Sequence, residues 1–471
     1  ATLAGRFDDA KPLEDPRLDG STEIEFWRGY LQASRDAATD QDAARLVQGL
    51  PLVLAYPQPL RDRLLPTTLE TMALHGQVAQ VQAALRGLPD DPTLDLARAL
   101  ALEMTNQPAA ALQDYDRIAK GPDRLRRYQA ELRAIDLRIK AGQLDAKAGA
   151  DALDRDLYEW RGARQEQDLR SHIAALRRQA GQWPEALSVL REGRDAFPED
   201  HARMDRELAD TFTAFVTNTP GVALSRPELI ALFDHNADLV RDIAWDEPTG
   251  QRLVDRLTDL GLQARAEPVL QRLVAQSTDP ANRARLGARL ADLRMTLDNQ
   301  AGAIAALADT APPANAAADP SVMETRQLLY AHAESQRGNT DRALTMLAAL
   351  PTAQADAARA DIYTGRKDWP HAEAALSDWE HKAIPTPAQL NDQQQSMVMR
   401  LAVAATLTSD SATLARLAST YGAAMQTGHA GAFFRLLTAA PVRDQDDLPR
   451  AFQEIQLAQQ LVTHPADMET P

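Results

Sequence analysis

Apolar positions along this chain recur at spacings of three and four, and the clearest run is Leu169 to Asp200. Ile173, Leu176 and Ala180 share one face of a helix. Ala186, Leu187, Leu190 and Ala196 do the same on a second helix. Gly181 between them supplies the break, because glycine enters the left-handed backbone region without a Cβ penalty. Pro184 falls in the first turn of the second helix, where a missing N–H costs nothing. Pro198 stops that helix. The stretch therefore predicts one helical hairpin, with Ala186, Leu190, Gly193 and Pro198 at fixed offsets from Gly181.

The same offsets return elsewhere. Gly261 is followed by Ala266, Leu270 and Leu273, and Gly338 by Ala343, Leu347 and Leu350. Ala111, Tyr115 and Ile118 keep the spacing, as do Ala303 and Leu307. Trp369-Pro370-His371-Ala372 repeats Trp183-Pro184-Glu185-Ala186, and Leu376 matches Leu190. Alanine anchors at 111, 186, 266, 303, 343 and 372 mark six hairpins, and the length allows about a dozen in total. Helix starts are predicted at capping boxes: Thr22 with Glu25, Ser225 with Glu228, Ser321 with Glu324, and Thr386-Pro387 with Gln389. Asp91-Pro92, Asp246 and Asp279-Pro280 predict further N-caps. Residues 1–21 read as an extended lead-in, 22–463 as a continuous helical array, and 464–471 as a frayed tail. Soft breaks are placed at 217–224, around Pro220-Gly221, and at 311–320. No alternating strand pattern occurs, so helix above roughly two-thirds with no sheet is expected.

Further residues sharpen this picture: Trp27-Arg28-Gly29, Leu54-Ala55-Tyr56-Pro57, Trp160-Arg161-Gly162, Ala196-Phe197-Pro198 and Trp369-Pro370. With them the chain resembles the tetratricopeptide-repeat (TPR) superfamily over most of residues 22–380. More closely, it resembles a group of alphaproteobacterial repeat proteins with no assigned active site. The resemblance implies an all-α fold, a right-handed α-solenoid of degenerate TPR-like helical hairpins. It implies a concave surface presented to partners, and no enzymatic residues. The first helices of many hairpins here depart from the Trp, Leu, Gly and Tyr positions of that family.

Composition narrows the function. At 471 residues the chain exceeds one compact core, so it needs several domains or an extended solenoid. Aromatics are only 5%, which leaves a core of Ala, Leu and Val suited to close, regular helix packing. A net charge of −16 argues against a nucleic-acid binder. It favours a protein or peptide partner with a basic or amphipathic segment. Of 51 basic residues 45 are Arg, a usage typical of a GC-rich bacterial genome. There is no Cys, which excludes disulfides, thiolate nucleophiles and Cys-ligated metals. No run approaches the roughly 18 apolar residues of a membrane span. The chain begins with Ala rather than Met, which reads as a removed leader or an excised segment. A periplasmic or envelope-associated setting is the expectation, and a cytoplasmic one the alternative.

Candidate chemistry is sparse. The nine His are scattered singly, with no H-E-x-x-H pair. His172 and His332 fall on first helices beside the apolar stripe and read as packed or surface residues. There is no Gly-rich phosphate loop and no G-x-S-x-G elbow. Asp444-Gln445-Asp446-Asp447 lacks the Gly and distal Glu of a calcium loop and reads as a solvated turn or cap. Glu199-Asp200 falls at a helix end, where capping explains it. No catalytic residue, cofactor or metal is expected. Trp160, Trp245 and Trp379 are candidates for interface anchors, since exposed Trp often carries binding energy, against the commoner fate of core packing. Trp160 and Trp245 are preferred because they lie outside the repeat positions that need core residues. The expected function is a non-catalytic scaffold or adaptor in an envelope assembly such as a secretion, polysaccharide-export or motor complex. The alternative is an α-solenoid enzyme of the lytic-transglycosylase type, which needs a compact block with a buried Glu that the sequence does not display. A sensor-type regulator is disfavoured by the absence of a DNA-binding segment.

Overall fold

The computed structural model describes residues 2–4, 8–161, 164–218, 224–313, 319–384, 389–425 and 428–439. Helix accounts for 79% of them and no strand occurs among them, which fixes the all-α class. The described helices fall into two compact units, 1–223 and 224–471.

In the first unit α1 (Thr22–Ser34) packs on α2 (Asp40–Ala55), and α3 (Gln58–Leu74) on α4 (Val78–Arg86). Next come α5 (Asp95–Met104) with α6 (Pro108–Ile118), α7 (Arg124–Lys140) with α8 (Ala146–Leu153), and α9 (Arg164–Gln179) with α10 (Trp183–Ala196). Helix α11 (His201–Thr217) closes against α10. In the second unit α12 (Arg226–His235) and α13 (Ala237–Asp242) precede the hairpins. These are α14 (Glu247–Asp259) with α15 (Gln263–Gln276), α16 (Pro280–Thr296) with α17 (Gln300–Asp309), and α18 (Pro320–Gln336) with α19 (Thr340–Ala348). Helix α20 (Ala353–Gly365) pairs with α21 (Trp369–Ala383) and α22 (Asp392–Thr408) with α23 (Ser411–Tyr421), while α24 (Gly428–Leu437) packs on α22.

One backbone device closes ten of these turns. A residue with φ between 53° and 87° follows the first helix, at 36, 76, 106, 142, 181, 261, 298, 338, 367 and 409. The next N–H then donates to the carbonyl five residues back, at 2.7–3.0 Å, for example Gln182 to Arg177 and Asn299 to Arg294. This is the Schellman closure, which satisfies carbonyls the helix end would otherwise leave open. The sequence marks the five glycine seats, Gly76, Gly142, Gly181, Gly261 and Gly338, as helix breaks. At 106 and 298 the seat is held by Asn and Asp, which tolerate it, and at 367 by Lys, which bears strain there.

Five residues beyond the turn the side chain enters the crossing of the two helices. Ala111, Ala186, Ala266, Ala303, Ala343 and Ala372 are all fully buried. Four residues further on, Tyr115, Leu190, Leu270, Leu307, Leu347 and Leu376 are buried as well. A small residue lets the helices approach, and the large residue one turn later fills the seam between hairpins.

Some expectations are corrected. The segment 1–21 is not extended: Thr2–Ala4, Asp8–Glu14 and Pro16–Leu18 form 3-10 turns. Pro12 and Pro16 hold φ near the helical value, and Arg28 of α1 donates to the carbonyls of Leu13 (2.6 Å) and Asp15 (3.0 Å). The N-cap of α1 is Ser21 rather than Thr22, and Glu25 instead pairs with Arg28 and Arg45. The cap of α18 is Asp319, whose carboxylate accepts from Ser321 N–H at 2.9 Å and leaves Pro320 at the first helical position. Ser225 and Glu228 do form their capping box. The Thr386-Pro387 start lies outside the described residues, and α22 is capped by Asn391 with Gln394. The cores of both soft breaks (219–223 and 314–318), the end of the helical array (440–463) and the tail (464–471) also lie outside them.

Candidate functional site

First helices of neighbouring hairpins are tied by polar side chains roughly one repeat apart in sequence. In the first unit His172 of α9 meets Asp136 of α7 at 2.9 Å, 36 residues away. Arg203 of α11 donates to Asp168 of α9 at 2.9 Å, 35 residues away. In the second unit α16 lies on α14 through a denser set. Arg285 donates to Glu247 (3.2 Å) and Gln251 (3.3 Å), Arg289 to Gln251 (3.2 Å) and Asp255, and Asn282 to Glu247 (2.7 Å). Arg400 of α22 reaches Asp361 of α20. Guanidinium–carboxylate links of this kind fill the groove between first helices with charged side chains.

Between α18 and α20 the same face opens into a cleft of about 660 Å³. Its floor is Leu328 and Leu329 of α18, Leu347 of α19, and Ala357, Ala358 and Ile362 of α20. Counted back from the turn residues Asp298 and Lys367, the places of Arg285 and Arg289 on α16 are taken on α20 by Gln354 and Ala358, so neither arginine has a counterpart there and the groove floor is apolar. Gly365 leaves one end clear: a Cβ built there meets no atom within 4 Å. The rim carries His332, Ser335, Gln336, Thr340, Gln354, Asp361 and Arg366. Gln336 donates to His332 Nε2 at 2.9 Å and accepts from Gln300 at 3.0 Å. Arg366 pairs with Asp341 at 2.8 Å. The lining advances along both helices, from Leu328 and Gln354 to Gln336 and Arg366. The cleft thus runs with the helix axes for about two turns along α18, ~12 Å, and about three along α20, ~18 Å. Its volume lies within the roughly 300–1,000 Å³ usual for ligand pockets.

The two tryptophans singled out from the sequence are elsewhere and are covered. Trp160 is 7% exposed, its ring 5.1 Å from that of Tyr128 and capped by the Arg124 guanidinium at 4.2 Å. Trp245 is 3% exposed and donates its indole N–H to the Val240 carbonyl at 3.1 Å. Trp379 is buried too. All three are packed as core residues, so none offers an exposed anchor. The exposed aromatic of the 156–161 turn is Tyr158, at 83%. Nothing in the sequence separates it from Trp160, because the partners that bury Trp160 lie more than thirty residues upstream on α7. His332, read as packed or surface, sits exposed on the cleft rim, and Asp444–Asp447 lie outside the described residues.

Two other polar sites hold helices in place. Arg326 of α18, almost wholly buried, donates to the carbonyls of Ala284 (2.6 Å) and Leu307 and to Thr310 Oγ1 (3.0 Å). It thereby fixes α18, one wall of the cleft, to α16 and α17. On α7 the Glu131 carboxyl is pushed up to about 7 by burial and by the neighbouring Asp156. Among the described residues no group of three or more His, Cys, Asp or Glu could hold a metal ion, and no helix is long and apolar enough to cross a membrane.

Comparison of the whole chain with models of known families finds no match, and no curated protein matches it. The functional reading therefore rests on the geometry of the cleft.

Proposed function

We propose that this chain is a non-catalytic adaptor that takes a protein partner on its first-helix face, with the α18–α20 cleft as the seat. In this reading the hairpins are TPR-like and stack with a right-handed sense within each unit. The observation that carries the reading is the change along one face. Charged links fill it between α14 and α16, and an apolar floor open to solvent replaces them between α18 and α20. An apolar groove between helices with a polar rim is the setting in which an amphipathic segment docks. The net charge of −16 favours a partner with basic character and speeds its encounter. An envelope-associated assembly remains the proposed setting.

The test is parallel affinity capture from the source cell with the wild-type chain and Gly365→Leu. Leucine at 365 projects into open space at the cleft end, so it blocks the seat without disturbing the fold. A partner should be retained by the wild type, released as salt rises, and retained several-fold less by Gly365→Leu. Equal retention by both chains would remove the cleft from the account. Turnover of a glycan substrate by the purified chain, lost on changing one carboxylate, would replace the adaptor with an enzyme.

A further inference from the structure

Resting on that reading, we infer that the occupant of the α18–α20 cleft is a two-turn amphipathic helix with aliphatic residues toward the floor and basic residues at its flanks. Three observations lead there. The first concerns backbone. The cleft is walled by helices whose peptide groups are already bonded within themselves, and its floor is side-chain carbon. An extended segment pressed onto such a floor leaves N–H and C=O groups without partners, which is costly. A helix satisfies its own.

The second is dimension. Residues i, i+4 and i+7 of a helix form one stripe about 10.5 Å long, which fits within the two turns over which the lining advances along α18 and the three along α20. The alanines at 357 and 358 leave the space that such side chains would fill.

The third is charge. Of the two charged side chains that line the cleft, Asp361 is more exposed than Arg366, and Asp341 stands beside the rim, bonded to Arg366. Asp341 is 90% exposed and Asp361 63%, and each is more exposed than the arginine it pairs with, Arg366 at 47% and Arg400 at 34%. An ammonium group arriving from solvent finds these carboxylates proportionally more open than the guanidiniums they pair with. Rim charges of this kind act on association and selectivity.

The experiment uses the full chain and fluorescent peptides titrated by anisotropy. One peptide carries Leu at i, i+4 and i+7 with Lys on the opposite face. A second replaces Lys by Glu, and a third keeps the Lys composition with the Leu positions scrambled. The Lys-faced helix should bind about ten-fold tighter than either control, weaken as salt rises, and lose about ten-fold on Gly365→Leu. Ala358→Phe, which fills the floor, should act alike, with thermal melts confirming that both variants fold. Equal binding of the Glu-faced peptide overturns the basic flank while leaving the cleft as a seat. Equal binding of the scrambled peptide overturns the helical occupant. Binding indifferent to both substitutions overturns the cleft reading itself.

Discussion

Replacing Ala186 by Leu tests the repeat register at its centre. Ala186 has no exposed surface and sits on α10 five residues after the left-handed Gly181, with its N–H donating to Gln182 at 3.0 Å. Its neighbours along α10, Leu187 and Leu190, are buried too. A leucine adds three carbons at a crossing that has no exposed surface to expand into. The transfer gain of about 0.8 kcal/mol per methylene is therefore not realised, and overpacking costs about 1–3 kcal/mol. For a unit of this size each kcal/mol moves the midpoint by about 2–4 °C, so a fall of about 6 °C is expected. Ala186→Gly should also destabilise, by about 2 kcal/mol, from the lost methyl and the lower helix propensity. Size is thus specified from both sides. Gln179→Leu, exposed at the end of α9, should stay within about 0.5 kcal/mol of wild type. Thermal melts and urea midpoints at unchanged slope measure all three. An unshifted midpoint for Ala186→Leu, or an equal shift for Gln179→Leu, would refute the register.

Arg326→Ala should cost about 3 kcal/mol, because it removes three buried hydrogen bonds and leaves the Leu307 carbonyl near the end of α17 without this donor, and Arg326→Lys should rescue only part of that, since one ammonium cannot span three acceptors. Urea unfolding of the two variants decides it. Lys367→Gly should stabilise by about 1 kcal/mol by relieving a left-handed lysine at φ 57°; a lower melting midpoint would count against the turn geometry. Glu131 gives a pH dependence. Its folded value of about 7 lies above the ordinary 4.5, so the folded chain binds the extra proton and loses stability as pH rises from 4.5 through 7. Glu131→Gln should therefore match wild type near pH 4.5 and exceed it by about 1 kcal/mol at pH 8, after allowing for solvent screening of a partly exposed group; a difference constant with pH would contradict this.

The hairpins were legible because their signal is local. A glycine, a small residue five positions on and a large apolar residue four beyond that lie within one short window, as at Gly181, Ala186 and Leu190. Turns at Lys367 and Ser409 were not legible, because their left-handed seat is imposed by the closing hydrogen bond rather than by the residue. The tryptophan anchors failed for a related reason: Trp160 is covered by Tyr128 and Arg124, whose approach depends on how α7 packs. The cleft was hidden as well. It arises where Leu328, Ala357 and Ile362 meet across two first helices, and no single window contains both walls. Sequence alone marks His332 as no more than a packed or surface residue, because its place on the rim depends on α20.

Site-specific photo-crosslinking of the partner tests the central claim most directly. A crosslinking residue at Gln336 or Gln354 stands on the cleft rim, and one at Thr345 stands exposed on α19, outside the lining. The account predicts strong crosslinks from 336 and 354, weakened by Gly365→Leu, and none from 345. Crosslinks from 345 with none from 336 or 354 would place the partner on another face and contradict it.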